Sequence, residues 1–154
     1  MPHGLECSSC DSEFTDVFSS GKRSEVMSKI RGKGNRSTER RMAAMLRARA
    51  ISGWQMHRRD IPGTPDFYFQ ELHLALFIDG CFWHQCPKCS KMPTQNRTFW
   101  NEKLTKNIRR DRRIRRMLNR SGIRVIRLWE HDLEHQTMRC RCVLDRIESL
   151  LLTV

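Results

Sequence analysis

The chain has 154 residues, 38% hydrophobic and 30% charged, which suits one globular domain with one core and excludes a disordered chain. Lys and Arg number 29 against 17 Asp and Glu, a formal charge of +12, and that excess points to a polyanionic partner, nucleic acid first. No apolar run approaches the roughly 20 residues that span a bilayer, and "MPHGLECSSC" lacks the apolar stretch of a signal peptide, so a cytoplasmic protein without a membrane partner is expected.

Residues 1–22 show no periodicity and read as a flexible leader. The chain carries seven cysteines, an odd number, and without a secretion signal thiolate metal binding is expected rather than disulfides. Cys7 and Cys10 would need Cys140 and Cys142 to complete a metal site, and a C-x-C pair matches zinc spacing poorly. Residues 23–36 are basic and broken at "GKGN". A helix is then expected from Ser37, as N-cap, to about Ala50, with Met42, Met45 and Leu46 as its apolar stripe. Glu39 falls in its first turn, where the helix dipole favours a carboxylate.

"IPGTPDFYFQELHLALFIDG" reads as a turn followed by a hairpin, with strands Asp66–Phe69 and Leu74–Ile78. Asp66 opens the first strand and Asp79 follows the second, so antiparallel pairing brings the two carboxylates to one sheet edge. Two converging carboxylates suit Mg2+; the plainer reading is a pair of turn residues.

"DGCFWHQCPKC" follows at once. Cys81-x4-Cys86-x2-Cys89 contains the C-x2-C step that lets two thiolates grip a tetrahedral zinc, with a third thiol beside it. His84, His131, Cys140 and Cys142 are all candidates for a fourth ligand. Phe82 and Trp83 lie between the cysteines, and Phe99 and Trp100 form a second aromatic pair. Aromatics beside a basic surface can stack on bases or wedge between them, or simply fill a core.

Phe99–Arg120 reads as one long helix, in which eight of the fourteen residues from Lys103 to Arg116 are Lys or Arg, a phosphate-binding face. Leu104, Ile108, Ile114 and Leu118 share its packed face with Asn107 and Asp111. An aspartate there implies either a pair with Arg115 or a site beneath the helix. A strand, Arg124–Trp129, and a last amphipathic helix with Val143, Ile147, Leu150 and Leu151 complete an α/β chain: a mixed β-sheet flanked by helices.

"MSKIRGKGNRSTE", "IPGTPDF", "GCFWHQCPKC", "FWNEKLTKNIRRDRR" and "GIRVIRLWEHDL" occur in this order. Together they resemble the very-short-patch-repair (Vsr) DNA mismatch endonucleases, relatives of the PD-(D/E)XK restriction-endonuclease-like fold, over about residues 22–135. The resemblance implies an endonuclease domain over residues 23–154 that nicks one strand of double-stranded DNA 5′ of the thymine at a T:G mismatch. It implies Asp66 and the backbone carbonyl of Ile78 as ligands of catalytic Mg2+, and His84 as the base. Glu39 and Asp111 become supporting acids, with Asp79 as a helper where a familiar member carries histidine. It implies Cys81, Cys86, Cys89 and His131 as ligands of a structural zinc, Cys86 standing where that member has a histidine. Phe82, Trp83 and Trp100 become the wedge. Residues 23–36 become an arm that clasps DNA, in a basic segment that starts at about Lys22, and Lys22, Arg23, Arg31 and Lys33 become DNA-binding residues. A monomer is expected, in the bacterial or archaeal cytoplasm with the nucleoid, and mismatch-repair proteins such as MutL are candidate partners. Two alternatives stand beside this: a same-fold nuclease of restriction or phage defence acting on undamaged DNA, and a non-catalytic zinc-stabilised DNA-binding module.

Overall fold

A computed structural model describes residues 37–153. The leader, the basic arm with Lys22, Arg23, Arg31 and Lys33, and Cys7 and Cys10 lie outside the described residues. Helix α1 covers residues 37–48. Then come β1 (Trp54–Met56), β2 (Phe67–Phe69), β3 (Leu74–Asp79), α2 (Arg97–Arg120), β4 (Arg124–Trp129), α3 (Glu130–Glu134) and α4 (Met138–Leu151).

The four strands form one sheet in the order β1-β2-β3-β4. β1–β2 and β2–β3 pair antiparallel. β3 and β4 pair parallel, Leu74 opposite Arg124 through Asp79 opposite Trp129, which requires the long crossover that α2 supplies. Every residue of β3 is buried, as expected of an apolar central strand covered on both faces. Leu74, Leu76 and Ile78 pack with Met42 and Leu46 of α1 and with Leu144 and Ile147 of α4. Ala75 and Phe77, on the alternate face, pack with Leu118 of α2. The molecule is therefore helix, sheet, helix in three layers, and successive residues at the end of β3 are delivered to opposite sides.

Several boundaries differ from the sequence expectation for local reasons. Ser37 is already helical, so it is not the N-cap. Asp66 precedes β2 rather than opening it, because its side chain takes the role of accepting from the Ile78 backbone N–H at 2.6 Å. β1 was not foreseen; it is only three residues long and half-exposed at the sheet edge. α3 was not foreseen either; it follows β4 without a loop, Asp132 accepting from the Trp129 N–H at 3.0 Å. In α4 the inward residues are Cys140, Leu144 and Ile147, while Val143, Leu150 and Leu151 flank them, half-buried. Cys140 is a core residue and Cys142 is exposed, so this pair cannot grip one ion together. No described helix is long and apolar enough to cross a membrane.

Candidate active site and metal centre

Two groups of side chains meet at the ends of β2 and β3. The first begins with Asp66. The Pro62-Gly63 turn before it lies against α2, so closely that a Cβ on Gly63 would come within 2.5 Å of an Ile114 methyl. That contact and the Ile78 hydrogen bond fix the carboxylate beside Glu39 of α1 and His57, the residue after β1. Donor atoms of Glu39, His57 and Asp66 all lie within 4.8 Å of one another, and His57 Nε2 is 3.1 Å from Glu39 Oε2. Burial, reinforced by the nearby charge of Glu39, pushes the Asp66 carboxyl up to about 6. Two carboxylates and an imidazole converging at the end of a strand fit a divalent cation.

The second group centres on His84. Its Nδ1 meets Asp111 Oδ2 at 2.5 Å and stands 3.8 Å from Asp79 Oδ1. Arg127 of β4 grips Asp79 with both arms of its guanidinium, Nε to Oδ2 at 2.6 Å and Nη2 to Oδ1 at 2.7 Å. Arg127 also approaches Asp111 at 3.5 Å. Burial alone would raise the Asp111 carboxyl, but the His84 hydrogen bond and the Arg127 charge outweigh it and hold the group below the usual carboxylate range. Asp111 is thus a firm anion that receives Nδ1–H of the ring, leaving Nε2 as the basic nitrogen.

These contacts give the two strand-end aspartates different close partners, while the Asp79 charge still contributes at Asp66. Asp66 gathers with Glu39 and His57, whereas the Asp79 carboxylate faces the α2 side of the sheet and is occupied by Arg127. They also answer the question about Asp111: its partners are His84, Arg127 and, at 3.6 Å, its neighbour Arg110, not Arg115. His57 and Arg127 were missed in the sequence. His57 follows an unforeseen strand, and Arg127 has nothing in its local pattern to set it apart from the other arginines.

The loop between β3 and α2 carries His84, the aromatics and the cysteines. It is knitted by its own turns, Cys86 N–H to Cys81 carbonyl at 2.8 Å and His84 N–H to Gly80 carbonyl at 3.2 Å. Glu130 accepts from the Cys81 N–H at 3.1 Å, and Asn107 of α2 donates to the Trp83 carbonyl at 3.2 Å. Cys81, Cys86, Cys89 and His131 bring one donor atom each within 4.8 Å. His131 Nδ1 is 3.1, 3.6 and 3.3 Å from the three sulfurs in turn. A tetrahedron with Zn–S of about 2.3 Å and Zn–N of about 2.1 Å has S···N edges of about 3.6 Å, so the set fits a zinc-sized ion. Burial pushes the Cys81 thiol up to about 12, a cost that coordination to a cation removes. His84 is not part of this set. Asp132, which is buried, stands 3.6 Å from His131 Nε2, in position to orient the ring.

Phe82, Trp83 and Trp100 form one cluster, with ring centroids 5.1 Å apart for Phe82–Trp83, 5.3 Å for Phe82–Trp100 and 6.2 Å for Trp83–Trp100. Trp100 is buried and Phe99 beside it is 55% exposed. The ammonium of Lys103 sits over three of these rings, at 5.8 Å from Trp83, 5.5 Å from Phe99 and 6.0 Å from Trp100. An aromatic cluster topped by a cation, at the start of a helix rich in arginine, suits stacked bases beside phosphates.

A family model described as DNA mismatch endonuclease Vsr matches residues 15–91. The chain is 35% identical over 139 residues to DNA mismatch endonuclease Vsr of Escherichia coli K12, covering 88% of this chain and 87% of that one. It is 36% identical to Type II nicking enzyme V.NmeAIP of Neisseria meningitidis serogroup A, over 87% and 94% of the two chains. It is 37% identical to Type II nicking enzyme V.NaeI of Lentzea aerocolonigenes, the match spanning 64% of each chain, a little under two thirds of that relative.

Proposed function

The chain belongs to the Vsr family of DNA mismatch endonucleases, and on that premise we propose that it is a hydrolase that nicks one strand of duplex DNA 5′ of the thymine of a T:G mismatch. The observation that carries this reading is the meeting of a carboxylate group, Glu39 with Asp66, and a histidine–aspartate pair, His84 with Asp111, beside an aromatic cluster.

Asp66 and Glu39, with the Ile78 carbonyl, would hold Mg2+. The bound ion supplies Lewis-acid stabilisation of the scissile phosphate and of the leaving 3′-oxygen. Asp111 fixes the ring of His84 so that Nε2 takes the proton of the attacking water, the division of labour seen in histidine–aspartate pairs generally. Arg127 pairs with Asp79, whose charge still adds a smaller contribution at Asp66 beside that of Glu39. Phe82 and Trp83, with the buried Trp100 packed behind them, enter the stack at the mismatch. Unstacking costs a few kcal/mol, and less at a mispaired step than at a matched one, which makes the wedge a source of selectivity. Cys81, Cys86, Cys89 and His131 hold structural zinc and keep His84 and the wedge in one fixed relation. The arginine-rich face of α2 and the basic arm at residues 23–36 bind phosphates. The protein works as a cytoplasmic monomer on DNA, and mismatch-repair proteins such as MutL are candidate partners.

A second reading, nicking of undamaged DNA in a restriction setting, is favoured by relatives named Type II nicking enzymes. The test offers Mg2+ and two otherwise identical duplexes, C:G or T:G at one position, each strand labelled separately. The mismatch reading predicts a nick in the thymine strand of the T:G duplex only. Equal nicking of both duplexes would favour the second reading.

A further inference from the structure

We propose that His57 is a nitrogen ligand of the cation held by Glu39 and Asp66, and that it tilts this site from Mg2+ toward a first-row transition ion such as Mn2+. The inference rests on the cation site proposed above and adds a ligand and a metal preference to it. Its first support is distance. Neighbouring ligands of an octahedral ion with bonds of about 2.1 Å lie about 3.0 Å apart, and opposite ligands about 4.2 Å. His57 Nε2 is 3.1 Å from Glu39 Oε2, and the three donor atoms keep within 4.8 Å.

The second support is the backbone. His57 leaves β1 with φ at 52°, the left-handed region that residues with a Cβ enter at a cost. This turn ends the pairing with β2 and directs the ring back toward Glu39. The side chain of His57 is half exposed while that of Glu39 is 10% exposed. The imidazole therefore closes a carboxylate pair on its open side, where it meets solvent and an arriving phosphate. The third support is charge and softness. A neutral imidazole with two carboxylates gives a 2− site for a 2+ ion. Mg2+ prefers oxygen ligands and keeps its waters, whereas later divalent ions accept imidazole readily.

The alternative role for His57 is purely structural, Nε2–H donating to Glu39. His57→Gln separates the two, because the glutamine amide keeps a donor but offers no ring nitrogen. The test uses the full chain with its thiolate site filled by zinc and Mn2+ as the probe. Pulsed EPR of the Mn2+ complex reads directly bound 14N. Titration of the free Mn2+ signal, with Mg2+ in competition, reads both affinities. We expect 14N coupling in the wild type and its loss in His57→Gln. We also expect Mn2+ to bind about tenfold or more weakly in the variant, on the scale of lost ligand support, with Mg2+ affinity changed far less. Absence of 14N coupling in the wild type, or coupling and affinity ratio both unchanged in His57→Gln, would overturn the role of His57 while leaving the carboxylate site in place. Mn2+ binding indifferent to Asp66→Asn would instead remove the carboxylate site, and the proposed reaction with it. Thermal melting of His57→Gln confirms that the comparison is between folded proteins.

Discussion

Asp66→Asn should stabilise the protein at neutral pH while removing one of the site's two carboxylates. The Asp66 carboxyl rises from its ordinary 3.8 to about 6 in the folded chain, chiefly through burial. A group raised by folding contributes its stability below the unfolded pKa and loses it as pH climbs through the folded one. Here the window runs from about pH 4 to about pH 6. At about 1.4 kcal/mol per pH unit, the charged form costs about 3 kcal/mol at pH 8. Asparagine stays neutral and can still accept from the Ile78 N–H, so Asp66→Asn should exceed the wild type by up to about 3 kcal/mol at pH 8. For a chain of this size that corresponds to about 6–12 °C in Tm. Below about pH 4 the two proteins should melt together. The assay is urea and thermal unfolding from pH 3.5 to 8, without added divalent salts and with the thiolate-bound ion in place. Adding Mg2+ at pH 8 should raise the wild-type Tm and move Asp66→Asn much less, because the variant has lost one of the two carboxylate ligands. A pH-independent difference between the two proteins, or an Asn variant less stable throughout, would refute the reasoning.

Arg127→Met leaves Asp79 buried without its partner and should cost about 3 kcal/mol in urea unfolding. The double variant Arg127→Met/Asp79→Asn should recover much of that loss. Removal of the thiolate-bound ion by a strong chelator should release one zinc per chain and abolish the cooperative melt, and a normal melt of metal-free protein would contradict a structural zinc. Trp83→Ala should lower the ratio of T:G to C:G nicking about tenfold while binding of matched duplex changes little; an unchanged ratio would remove the wedge.

The parts of the fold that read clearly from sequence are those with long periodic signals. β4 was placed at Arg124–Trp129 and found there, because its apolar residues Val125, Ile126, Leu128 and Trp129 follow closely on a Ser-Gly turn. α2 began two residues earlier than expected, a normal uncertainty at a helix end with no side-chain cap. β1 and α3 were invisible because three and five residues carry too little pattern, and pairing with β2 or continuity with β4 creates them. The cysteine spacing announced a metal loop, but His131 is brought to it by the parallel pairing of β3 with β4, a relation no local spacing encodes. His57 and Arg127 share that reason: each acts through a tertiary contact, one across β1 and α1, the other diagonally from β4 to the end of β3. Asp79 looked like a metal carboxylate from its place in the chain. In the structure it is gripped by Arg127 and stands 3.8 Å from His84.

The central claim is that Asp66 and His84 perform the chemistry and do not merely hold the DNA. Single-turnover nicking and equilibrium binding should be measured side by side on one T:G duplex with Mg2+, for the wild type, Asp66→Asn and His84→Ala. Duplex affinity should stay within a few-fold of the wild type in both variants, with the nicking rate lowered by about 10² to 10⁴ for His84→Ala and at least as much for Asp66→Asn. Nicking that persists at the wild-type rate in either variant, or falls only in step with binding, would contradict that claim.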